Sequence, residues 1–84
     1  MEYKVLIKLF VPQIEQCYEM YIPVNRTVGQ VIELMNKVVN DISSGIFPIK
    51  DGLNLMNRRD NIIYDYGQLV RETNIRNGSE LVMY

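Results

Sequence analysis

Apolar residues recur at Val28, Val31, Ile32, Met35, Val38, Val39 and Ile42, with gaps of three and four, while Gln30, Glu33, Asn36, Lys37, Asn40 and Asp41 fill the other side. That spacing predicts an amphipathic α-helix over 27–42 with all seven apolar residues on its buried stripe. Leu34 alone falls outside it. Thr27 and Gln30 have the spacing of a capping box, and Ser43-Ser44-Gly45 supplies the stop, because glycine accepts a left-handed C-terminal cap. Burying the stripe contributes on the order of 10 kcal/mol of gross stabilisation. It needs a covering surface.

The rest of the chain changes period from 3.6 to two. Over 3–11, Tyr3, Val5, Ile7, Leu9 and Val11 alternate with Lys4, Leu6, Lys8 and Phe10, which predicts a strand with the odd positions inward. Pro12 stops it. A second strand over 17–22 points Tyr18, Met20 and Ile22 one way and Cys17, Glu19 and Tyr21 the other, so the two strands form a hairpin. After the helix, the loop 46–52 places Ile46, Phe47 and Ile49 as plugs at one end of the core. A third strand over 53–57 turns Leu53 and Leu55 in and Met56 out. A short fourth strand follows at 62–64, then an irregular stretch with one helical turn near 69–72. Gly78 makes the turn into a last strand, 80–84, with Leu81 and Met83 inward and Val82 and Tyr84 outward. One helix covers one sheet, so the pattern predicts an α+β fold, ββαβββ, with a mixed sheet and the helix across one face. Pairing the first and last strands in parallel gives the β-grasp arrangement.

Composition narrows the function classes. With 84 residues and 48% hydrophobic content, the chain 1–84 reads as a single domain with one modest core. Nine basic and ten acidic residues leave a formal charge of −1, which argues against a nucleic-acid or anionic-membrane binder. The N-terminal run carries lysines and no small-residue cleavage site, so it reads as a strand and not a signal peptide. No apolar run is long enough to insert into a bilayer. One cysteine forbids an intramolecular disulfide and fits a reducing, cytoplasmic setting.

No catalytic constellation emerges. Histidine is missing, and with it the usual near-neutral base. Cys17 lies between Glu15 and Glu19, which do not activate a thiol. The acidic residues are scattered without metal-ligand spacing, and the glycines lack phosphate-loop spacing. The expectation is a protein that is not an enzyme and carries no metal or cofactor.

The run 70–81, with Val70, Ile75, Gly78 and Leu81, resembles the closing segment of ubiquitin-like domains. The helix entry over 22–28, with Ile22, Pro23, Thr27 and Val28, resembles theirs as well. Conjugated modifiers and sulfur carriers of that superfamily end in a flexible Gly-Gly tail. This sequence ends in Met83-Tyr84, so the resemblance points away from both chemistries, and a sulfur carrier or modifier is the alternative reading. In size, end point and pattern the chain is similar to the small YukD/EsaB-type proteins of bacterial type VII (WXG-protein) secretion. That resemblance implies a cytoplasmic accessory or regulator that binds a protein partner, a secretion-system component.

Strand alternation also marks a surface. Leu6, Lys8, Phe10, Met56, Arg58, Val82 and Tyr84 fall on the sheet face away from the helix or at its rim. Contiguous apolar area with Met and aromatic residues marks protein-binding surfaces. A homodimer formed through the same face, as in a self-associating structural protein, is the other use of such a surface.

Overall fold

The structure, a computed structural model, describes residues 3–84. Strands β1 (Lys4–Val11) and β2 (Gln16–Pro23) form an antiparallel hairpin through a short 3-10 turn at Pro12–Ile14. Helix α1 (Val28–Ile42) follows, then β3 (Leu55–Asn57), a second 3-10 turn at Val70–Glu72 and β4 (Glu80–Met83). The sheet order is β2-β1-β4-β3, with β1 and β4 parallel and β3 and β4 antiparallel. The expected central pairing of first and last strands is present. The β-grasp fold follows from the hairpin, the crossing helix and the return of β4 beside β1.

Ile7, Leu9, Val11, Ile22, Leu55, Leu81 and Met83 are buried from the sheet side, opposite Val28, Val31, Met35 and Val39 of α1. Thr27 caps the helix as the spacing predicts. Its Oγ1 accepts from the Gln30 amide at 3.2 Å, and Gln30 Oε1 accepts from the Thr27 amide at 3.0 Å.

Several expectations are corrected. Ile42, the seventh residue of the stripe, is 55% exposed because it lies in the last turn, past the packed stretch. Val38 is half-buried. Asn36, assigned to the polar side, is only 2% exposed. Its Nδ2 donates to Pro48 O at 3.0 Å and its Oδ1 accepts from the Lys50 amide at 2.9 Å, so it holds the crossing loop against α1. Of the three plugs expected in that loop, only Phe47 is buried; Ile46 is 73% and Ile49 60% exposed. Phe47 is fixed at both backbone groups, donating to Ser43 Oγ at 3.0 Å and accepting from Asn40 Nδ2 at 2.8 Å. The third strand is shorter than predicted. The fourth shrinks to one antiparallel bridge, Met56 opposite Ile63. The same segment still covers the β3 edge: the Asn57 amide donates to Ile62 O at 2.8 Å, and the Tyr64 amide donates to Leu55 O at 3.0 Å.

Candidate functional site

The sheet face away from α1 is organised in rows that run across the strands. Register pairs Phe10 with Cys17 on β2 and with Val82 on β4, Val82 with Met56 on β3, and Met56 with Ile63 in the bridge. At about 4.8 Å between strands, this row extends for roughly 19 Å. The next row carries charge. Glu19 pairs with Lys8, Lys8 with Glu80, and the Arg58 amide donates to Glu80 O at 2.9 Å, which sets Arg58 beside Glu80. The signs alternate from one strand to the next. Opposite charges facing each other across strands stabilise a sheet by a few tenths to about 1 kcal/mol per pair.

Arg58 joins the two rows. Its guanidinium carbon lies 5.4 Å from the centroid of the Phe10 ring, a cation–π contact that covers one side of the aromatic. A shallow depression between the rows is lined by Lys8, Phe10, Cys17, Glu19, Arg58 and Glu80. The surface offers an apolar strip for area and charges of alternating sign for orientation.

The sequence-predicted residues separate into groups. Phe10, Val82 and Met56 stand in one row, with Lys8 and Arg58 in the row beside it. Val82 is only 8% exposed, shielded by its neighbours, so Phe10, Met56 and Ile63 supply the row's accessible apolar surface. Tyr84 lies two residues beyond Val82. It is tied to Asn54 by paired backbone bonds of 2.6 and 3.1 Å and keeps an exposed ring. Leu6 lies on the far side of the charged row, opposite Tyr21, and is separated from the apolar strip. Ile63 was missed because its segment makes a single bridge. No alternation marks it in the sequence, since Ile62 and Ile63 are both exposed beside the buried Tyr64.

A second polar cluster lies at the end of the sheet. Asn57 Nδ2 donates to Tyr64 Oη at 3.0 Å, the Tyr64 hydroxyl donates to Asn74 Oδ1, and Asn74 Nδ2 donates to Asp60 Oδ2 at 2.8 Å. Burial pushes the Tyr64 phenol above its ordinary pKa near 10, the hydrogen bond from Asn57 offsets part of this, and the Asp60 carboxylate raises it further. Among the described residues, no three His, Cys, Asp or Glu side chains group as a metal site, and no helix is long and apolar enough to cross a membrane.

No protein-family model and no curated protein matches the chain. Solved structures do. A chain of the MycP5-free ESX-5 inner membrane complex superposes on 99% of this chain with a TM-score of 0.79 and 17% identity. The match spans 21% of that chain's length. The ubiquitin-like domain of Arabidopsis thaliana protein At2g32350 matches 99% of this chain and 78% of its own, with a TM-score of 0.73 and 20% identity. The N-terminal ubiquitin-like domain of the 4931431F19Rik protein matches over 100% and 76%, with a TM-score of 0.67 and 17% identity. At these identities the likeness shows the fold, which is that of a ubiquitin-like β-grasp domain.

Proposed function

We propose that this chain is a protein-binding ubiquitin-like module that works without conjugation, and that it serves as an accessory or regulatory component of type VII secretion on the cytoplasmic side. The observation that carries the binding part is the apolar row Phe10–Val82–Met56–Ile63 running beside a charged row. An apolar strip flanked by charges of alternating sign suits a partner whose apolar residues cover the strip and whose charges answer Lys8, Glu80 and Arg58. The secretion part is supported by the fold shared with a chain of the ESX-5 inner membrane complex, which belongs to a type VII system. Catalysis has no part in this reading.

The test is capture of partners from a type VII-secreting cell. Tagged wild-type chain is compared with a Phe10→Ser/Met56→Ser variant whose fold is checked by circular dichroism. Recovery of secretion-system membrane components by the wild type, and their loss from the folded variant, supports the proposal. Equal recovery by both removes the outer face from it, and recovery of no secretion component removes the assignment.

A further inference from the structure

The two edges of the sheet are treated differently. At β3 the outward backbone groups of Leu55 and Asn57 are engaged by the 62–64 segment. At the other edge, β2 is the last strand in the order, and among the described residues β1 is its only sheet partner. The phase of the hairpin fixes which β2 groups point away. Val24 donates to Tyr3 O at 2.8 Å, so Ile22, Met20, Tyr18 and Gln16 turn their backbone groups toward β1. The even residues of β1 agree, since they bond toward β4: the Lys8 amide donates to Ser79 O at 2.9 Å, and Leu6 O accepts from Gly78 at 2.8 Å. Cys17, Glu19 and Tyr21 therefore present their N–H and C=O groups outward, and among the described residues these groups have no hydrogen-bond partner. The strand runs eight residues without a bulge, a lysine or an interior proline, so it lacks most of the devices that keep a free edge from pairing.

We infer that the β2 edge is a second interaction surface, which takes up an extended segment of a partner protein as an added strand carrying a basic residue opposite Glu19. The charged row selects this occupant. Across the sheet it reads Arg58, Glu80, Lys8, Glu19 and ends on an acid at the open edge, so the next strand in register continues the alternation with a Lys or Arg. A second copy pairing through β2 about Glu19 sets carboxylate against carboxylate, which disfavours self-association there. Side chains alternating with the basic residue turn to the helix side. There Tyr18 and Met20 are half-buried, and the α1 flank opposite Asn36 and Asn40 carries Leu34 and Val38. The incoming strand is thus apolar toward α1 and basic toward Glu19. This surface is distinct from the Phe10–Ile63 row and does not depend on it.

The test selects displayed random-sequence short peptides against the whole chain and maps the survivors by amide NMR. The expected peptides alternate apolar residues with a Lys or Arg. Bound, they slow hydrogen exchange at the Cys17, Glu19 and Tyr21 amides. Glu19→Lys, an exposed substitution, weakens them about tenfold, and replacing the basic peptide residue with Glu restores binding to that variant. Failure to select any peptide, binding that leaves the three amides unprotected, or indifference to Glu19→Lys overturns the inference. Protection of the same amides in the free chain that grows with its concentration also overturns it, in favour of a second copy.

Discussion

The guanidinium of Arg58 packs over the ring of Phe10, 5.4 Å from its centre, although Arg58 follows β3 and β4 lies between β3 and β1. The contact ties the rim of the charged row to the apolar strip. It is surface-exposed and contributes roughly 0.5–1 kcal/mol. Arg58→Ala is expected to lower unfolding free energy in urea by no more than about 1 kcal/mol while reducing capture of the partner. A variant that binds as well as wild type places the partner away from Arg58.

Asn36 is a buried polar residue that ties the crossing loop to α1. Its amide closes two hydrogen bonds to the 48–50 backbone. Asn36→Ala strands those groups and opens space, and is expected to cost about 2–3 kcal/mol in urea unfolding. Asn36→Asp keeps the acceptor but turns the donor to Pro48 O into a second acceptor, so it is also destabilising. A loss under about 0.5 kcal/mol for Asn36→Ala contradicts the role given to it.

Tyr64 links stability to alkaline pH. Its phenol pKa is raised in the folded chain. Below about pH 10 both states keep the proton, and the contribution is fully present. As pH rises past about 10 the unfolded chain releases the proton first, so stability falls until the folded phenol also ionises. Tyr64→Phe is expected to cost about 1–2 kcal/mol at neutral pH through its lost hydrogen bonds, and to flatten the decline above pH 10. Urea melts of both proteins across that range measure it, and parallel declines contradict the linkage.

Cys17 is exposed at the β2 end of the apolar row, opposite Phe10. Its thiol is expected to react with an aromatic disulfide reagent in native buffer without waiting for unfolding. Reaction only after urea is added contradicts the exposure. A label there reports partner docking on the outer face.

Periodicity carried the helix, the hairpin and the inward faces of the strands apart from Tyr3, which lies ahead of β1 and is 54% exposed; the parallel pairing of β1 with β4 followed from covering one helix with one sheet. It failed where a side chain's role is set by a distant backbone. Asn36 reads as a solvent-facing polar residue because nothing local reveals that the 48–50 loop folds onto it. Ile46 and Ile49 read as core because apolar character does not say which way a loop turns, and the bonds that aim Phe47 inward come from Ser43 and Asn40. On the outer face, Phe10, Val82 and Met56 were legible from alternation. Their exposure was not, since Val82 is shielded by neighbours on other strands. Ile63 escaped because one bridge is too short to impose a period, and the alternating charges are visible only once four segments are in register.

The most direct test of the outer face as the partner-binding surface is site-specific photocrosslinking in a type VII-secreting cell. A benzoylphenylalanine replaces Tyr84, which is exposed on the outer face, or Tyr66, whose hydroxyl donates to Leu53 O at 2.6 Å and which borders a cleft on the helix side with Gln30 and Glu33. The account predicts crosslinks to a secretion-system component from position 84 and none from position 66. Crosslinks from position 66 alone, or equally from both, contradict it.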